Sequence, residues 1–156
     1  IGVEIAAAMK NAYAIALGVA DGLEKRTGRP HHNLRAALFP RAVAEMGRLA
    51  AALGGRVETV AGLAGSGDLQ VTITAGRNRL LGERLGLGVP ASEAARSLRD
   101  EGITVEGYAA TDFGHRLATG LVDPVDGSPL DLPLLRALRS VLFDDAPAAE
   151  RLWAAA

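Results

Sequence analysis

The chain has 156 residues, 49% of them hydrophobic, with 17 Lys and Arg against 18 Asp and Glu and a formal net charge of −1. That length and apolar content suit one domain with a sizeable core, and charges dispersed along the chain give no basic field for nucleic acid. With no cysteine there is no disulfide, thiolate nucleophile or Cys-ligated metal, which is compatible with a cytoplasmic setting. Aromatic residues are only 4%, and an apolar set rich in Ala and Leu favours close-packed helices over sheet, so the expected class is all-α.

The first predicted helix spans about Val3 to Lys25 and ends in the polar turn RTGRPHHN. Ala, Met and Leu favour helix, and the stretch to Val19 contains no Pro and one Gly. Lys10 is the only basic residue inside VEIAAAMKNAYAIALGVADG, in a chain whose only other lysine is Lys25. Arginine serves wherever this chain needs a permanent positive charge, but an amine can pass a proton where a guanidinium cannot. At helical spacing Lys10 shares a face with Ala6, Ala7, Tyr13, Ala14 and Leu17. Two readings of it stay open on this evidence: an acid–base amine, or a lysine whose stem covers apolar surface while its head reaches water. The chain carries no secretory leader pattern and no uninterrupted apolar span of about 18 residues, so it reads as soluble and intracellular, without membrane insertion. It starts with Ile directly in helical pattern, and the expectation is a piece of a longer protein preceded by another domain.

A second helix is predicted from about Asn33, a good N-cap, carrying Leu34, Leu38, Ala42, Met46, Leu49 and Leu53 before Gly54 and Gly55 stop it. Two long helices joined by a short turn imply an antiparallel hairpin. From residue 57 to 88 glycine concentrates and helical periodicity breaks down, as in functional loops. Short helices follow at about Arg77–Leu85, Pro90–Leu98 and Val105–Leu117. A turn-rich segment GLVDPVDGSPLDLP then leads to two closing helices, LPLLRALRSVLFDD and APAAERLWAAA.

Three segments could carry chemistry. GLAGSGD, residues 62–68, lacks the Lys and Ser/Thr of a P-loop and the strand of a dinucleotide fingerprint; its glycines instead allow close backbone approach and deliver Asp68 to the end of a bend. In TITAGRNRLLG, Thr74 or Gly76 is placed to cap a helix whose first turn holds Arg77 and Asn78, so backbone N–H groups, a guanidinium fork and an amide would converge on an anion. Glu106, in the first turn of a later helix, complements that helix's dipole. His31, His32 and His115 have no ligand spacing and read as surface residues, and no metal site is expected.

Taken in order, GVEIAAAMKNAYAIALGVADGL, RAVAEMGRLAAALGG, GLAGSGDL, GRNRLLG, TVEG and LPLLRALRSVLF resemble the C-terminal domain of NAD(P)-dependent glycerol-3-phosphate dehydrogenase over nearly the whole chain. The resemblance implies one helical domain over residues 1–156, of the 6-phosphogluconate dehydrogenase C-terminal-domain type, following a doubly wound domain that holds most of the NAD or NADP. It implies that Lys10, followed by Asn11, is the catalytic lysine, that Asp68 and Thr72 line the substrate pocket, and that Arg77 and Asn78 hold the phosphate of dihydroxyacetone phosphate. Gly76 lies beside them, where many bacterial members carry Ser before the Arg and a longer preceding stretch, so here only backbone is offered. Arg77, Thr104 and Glu106 are implied to border the cofactor, and the assembly to be a homodimer. A related 3-hydroxyacid or ketoacid reductase and a non-catalytic helical module are the alternatives.

Overall fold

The computed structural model describes residues 1–156 as nine α-helices and one π-helical turn. The helices are α1 (Gly2–Thr27), α2 (His32–Ala52), α3 (Val57–Ala61), α4 (Asp68–Thr74), α5 (Arg77–Gly86), α6 (Ala91–Asp100), α7 (Glu106–Thr119), α8 (Pro133–Phe143) and α9 (Ala148–Ala155), with the π turn at Leu63–Gly67. Extended structure is limited to one isolated antiparallel bridge, Val122 with Pro129, inside the turn-rich segment before α8. The all-α expectation holds.

α1 is the axis of the domain. Every residue from Ala12 to Ala20 is buried, the pattern of a helix surrounded on all sides rather than one with a wet face. By length and composition α1 is apolar enough to cross a membrane, although Lys10 and Asn11 interrupt its apolar run; most of its apolar window lies inside the fold. The helix ends where Gly28 adopts φ 67°, its N–H bonding Glu24 O, a left-handed cap that suits glycine.

α2 returns antiparallel to α1, as the turn implied. Asp21 meets Arg35 and Tyr13 meets Glu45, so partners move apart in sequence along the pair. Leu34, Leu38, Ala42, Met46 and Leu49 form the buried stripe.

The region from 57 to 76 departs from expectation: it is helical almost throughout, in the order α3, π turn, α4, and α5 then falls at the predicted Arg77–Leu85 helix. Several of its glycines break the apolar periodicity because they sit where backbones touch: a Cβ on Gly65 would lie 2.0 Å from Val60 O, whereas Gly88, at φ 97°, does turn the chain after α5. Thr74 caps nothing; its hydroxyl donates to Gln70 O within α4.

The packing of α5 on α1 determines the site. Gly18 and Gly22 face Gly82 and Gly86, and a Cβ on Gly82 would lie 2.0 Å from Ile15 O, one on Gly86 2.2 Å from Val19 O. The helices run parallel with a constant offset: Asn11 meets Asn78, Ile15 meets Gly82 and Val19 meets Gly86. Lys10 and Arg77 each directly precede a member of the bonded Asn11–Asn78 pair, so the start of α5 comes to the turn of α1 that carries Lys10. α7 closes over the junction through Gly107, whose missing Cβ would lie 2.3 Å from Asn11 O.

Candidate active site

Lys10 stands where α1 leaves the core. Met9 and Tyr13 beside it are buried and its own side chain is 21% exposed, so the stem is packed and the ammonium reaches the surface. There it donates to Asp68 Oδ2. Asp68 is the first residue of α4, directly after the π turn; the chain runs helically through Gly67 and Asp68, so the expected bend is instead a π-to-α transition within one helical run. Thr72 follows one helical turn later and donates to Asp68 O, 2.7 Å away.

The α4–α5 joint passes through Gly76, in extended conformation at φ 172° and ψ 160°. A Cβ there would lie 3.0 Å from Thr72 O, so the joint is tightest with glycine. Leu80 N–H makes the first α5 bond, to Gly76 O at 3.2 Å; the N–H groups of Arg77, Asn78 and Arg79 precede it and have no partner within the helix. This is a positive helix end beside an exposed guanidinium, suited to an anion.

Arg77 and Asn78 fare differently. The Arg77 side chain is 56% exposed and its Nη2 lies 3.3 Å from Glu106 Oε1. Asn78 is buried and its amide is engaged: Nδ2 donates to Asn11 Oδ1 at 3.0 Å, and Oδ1 accepts from Gly107 N–H at 2.8 Å. Asn11 in turn donates to Glu106 Oε2 at 3.4 Å. The sequence reading had the Asn78 amide free to meet an anion; it instead ties α1, α5 and α7 together, because its position on α5 faces the helix junction and not solvent.

Lys10, Asn11, Asp68, Thr72, Gly76, Arg77, Asn78 and Glu106 therefore form one connected cluster. Thr104 lies outside it, exposed on the segment before α7, and lines a separate cleft of about 560 Å³ with Arg99, Ile103 and Tyr108 between α6 and α7. His31 touches Thr27 Oγ1 at 3.1 Å. His115 is half-buried on α7, where burial first and the Arg139 charge second lower its pKa; neither histidine joins the cluster.

One functional support escaped the sequence reading. Glu45, on the apolar stripe of α2, is buried and accepts hydrogen bonds from Tyr13 Oη (2.9 Å), Leu134 N–H (2.7 Å) and Leu135 N–H (3.0 Å). Burial raises its pKa against the opposing pull of those three donors. It caps α8 from across the core, and α8 supports α7 through Tyr108 Oη to Leu142 O at 2.7 Å. The available signal was a carboxylate three residues from Ala42 and four from Leu49, on a face otherwise apolar.

Residues 1–152 match the family model described as the NAD-dependent glycerol-3-phosphate dehydrogenase C-terminus. A glycerol-3-phosphate dehydrogenase [NAD(P)+] of Geobacter metallireducens is 39% identical over 150 residues, covering 95% of this chain and 40% of the relative. An NADP(+)-dependent glycerol-3-phosphate dehydrogenase of Archaeoglobus fulgidus is 37% identical, covering 98% of this chain and 44% of the relative. The crystal structure of glycerol-3-phosphate dehydrogenase from Coxiella burnetii superposes with a TM-score of 0.79 at 37% identity, over 98% of this chain and 43% of that one. The chain thus spans about 40% of the length of the curated relatives it matches.

Proposed function

Because this chain belongs to the NAD-dependent glycerol-3-phosphate dehydrogenase C-terminal family, we propose that it supplies the substrate half of an active site interconverting dihydroxyacetone phosphate and sn-glycerol 3-phosphate with NAD(P)H. The observation that carries the reading is the contact of the Lys10 ammonium with Asp68, one residue from the Asn11–Asn78 bond that brings in the start of α5 with Arg77.

The residues fit one edge of a nicotinamide cofactor and not the whole of it. With no strand, the domain has no strand–turn–helix cradle for a pyrophosphate; Glu106, held by Arg77 and Asn11, offers an exposed carboxylate at the start of α7. When bound, the nicotinamide supplies or removes the hydride. Lys10 then does the proton work: in reduction its Nζ gives a proton to the oxygen developing negative charge at C2, and in oxidation the neutral amine takes the hydroxyl proton. Asp68 holds the ammonium in place, and Thr72 steadies the Asp68 backbone. Arg77 and the first N–H groups of α5 grip the phosphate, so that binding remote from C2 orients the carbonyl.

The same membership supports a homodimer that acts in the cytoplasm on a small-molecule substrate. Burial of the apolar surface of α1 supports the absence of membrane insertion. The domain on its own is proposed to oxidise no NADH with dihydroxyacetone phosphate, since the cradle for the dinucleotide lies elsewhere.

Substrate discrimination in the full-length enzyme tests the reading. Arg77→Ala is expected to lose about 2–5 kcal/mol in kcat/KM for dihydroxyacetone phosphate, the scale of a lost charge-assisted contact, and most of the preference over dihydroxyacetone. Lys10→Ala is expected to lower turnover of both ketones alike, by roughly 10²-fold or more. An unchanged preference in Arg77→Ala would remove the phosphate site from the start of α5.

A further inference from the structure

Lys10 and Arg77 come to the same end of the helix pair because α1 and α5 pack parallel in one register, which the contact surface and its polar flanks select together. Gly18 and Gly22 on one helix and Gly82 and Gly86 on the other are each spaced by four residues. Displacing α5 by one turn, about 5.4 Å, would re-form only one of the two glycine pairs and set the other glycines against residues that carry a Cβ, so the glycines limit the slide without fixing it alone. Backbone-on-backbone contact of this kind lacks the interdigitating ridges by which larger side chains fix a helix pair.

Polar pairs flank the glycines on both sides and hold the register with them. On one flank is the Asn11–Asn78 bond already described. On the other is a chain of charges that runs across three helices. Arg35 of α2 pairs with Oδ1 of Asp21 on α1. Arg79 of α5 lies 3.5 Å from the other oxygen of Asp21 and 3.0 Å from Glu83 on its own helix. Glu83 meets Lys25 of α1 at 2.6 Å. The three central side chains are largely withdrawn from water: Asp21 is 18% exposed, Arg79 25% and Glu83 15%. Charges so placed are costly to leave without partners. Both cross-helix pairs, Asp21–Arg79 and Lys25–Glu83, share one offset, so sliding α5 along α1 separates both together.

We propose that Asp21 and Arg79 are positioning residues for the phosphorylated substrate: their pair, with Lys25–Glu83 beside it, locks the register that sets the Arg77 phosphate grip against Lys10. Asp21 follows Lys10 by eleven residues, about 16 Å along the helix, so it acts through the helix pair and not by touching substrate. The inference rests on the assignment of the phosphate to Arg77.

Two variants of the full-length enzyme, Asp21→Asn and Arg79→Met, test it by steady-state kinetics with dihydroxyacetone phosphate and with dihydroxyacetone. Asp21→Asn carries the sign that discriminates. It removes a negative charge, so a purely electrostatic influence on a phosphate would raise kcat/KM; a lost register lowers it. The expected result is a fall of about 10-fold or more in kcat/KM for dihydroxyacetone phosphate in both variants, on the scale of a misplaced binding group. Turnover of dihydroxyacetone, which needs Lys10 but not Arg77, is expected to change by less than about threefold, so the preference falls. The double variant should be little worse than either single one, because both break the same pair. Arg79→Lys, which keeps a charge for Asp21, should recover part of the preference and serves as well if Arg79→Met fails to fold. Unchanged preference in folded Asp21→Asn and Arg79→Met, or a gain in Asp21→Asn, overturns the lock. If Arg77→Ala also leaves the preference unchanged, it is the phosphate assignment that fails; if Arg77→Ala abolishes it while these variants do not, only the lock fails.

Discussion

Replacing Glu45 by Ala tests the most deeply buried polar junction in the fold. The carboxylate accepts from three donors on two elements, Tyr13 of α1 and the N–H groups of Leu134 and Leu135 in the first turn of α8. Truncation strands all three. A buried donor without a partner costs about 1–3 kcal/mol, giving a gross loss of about 3–9 kcal/mol. Against this stands relief from burying a carboxylate, an effect of several kcal/mol and the same burial that raises the Glu45 pKa. A net loss of about 2–4 kcal/mol follows, a large part of the about 5–15 kcal/mol that holds a domain together. At about 2–4 °C per kcal/mol for a chain of this size, Tm should fall by roughly 5–15 °C in calorimetry. Tyr13→Phe removes one donor and leaves the acceptor in use, so it should cost only about 1 kcal/mol. The double variant should lose less than the sum, since Glu45→Ala no longer strands the Tyr13 hydroxyl. A loss under about 0.5 kcal/mol in Glu45→Ala, or strict additivity with Tyr13→Phe, would refute the three-donor account.

Further outcomes are expected elsewhere. Lys10→Arg keeps charge but not a titrating amine, and kcat should drop about 10²-fold or more; near-normal turnover across pH would replace proton transfer by simple electrostatics. Gly82→Ala places a methyl group where Ile15 O lies 2.0 Å away, so α5 must move off α1, with a loss of about 3 kcal/mol in denaturant unfolding; a variant as stable as the parent would contradict the close crossing. Asp123 accepts from Val125 N–H and pairs with Arg48, and both hold its pKa low. A carboxyl with a depressed folded pKa stabilises the fold above its unfolded value, about 3.9, and loses that contribution as pH falls through the folded value. Asp123→Asn should therefore flatten the acid limb of a Tm–pH curve below about pH 4, and an unaltered acid limb would show the carboxylate to be uncoupled from folding.

Composition and local pattern determined a good deal. An Ala- and Leu-rich chain poor in aromatics could satisfy its backbone within helices, and α1, α2 and α5 to α9 were legible from apolar spacing, Pro starts and Gly stops, because those signals act within one helix. Lys10, Asp68 and Arg77 were legible as an amine among small residues, an acid after a glycine-rich segment and a cation at a helix start, and the family motifs ordered them. Only the tertiary structure decided the rest. That α1 is enclosed on all sides, that Gly82 and Gly86 mark a close helix contact, and that the Asn78 amide bonds Asn11 and Gly107 all depend on partners tens of residues away. The same is true of Glu45, whose donors on α8 lie about ninety residues on. A glycine reads alike in sequence whether it frees a turn or admits a neighbouring backbone, and a polar side chain reads alike whether it meets water or a distant N–H group. What separates the cases is the packing of α5 and α7 against α1, which exists only once the chain has closed around that helix.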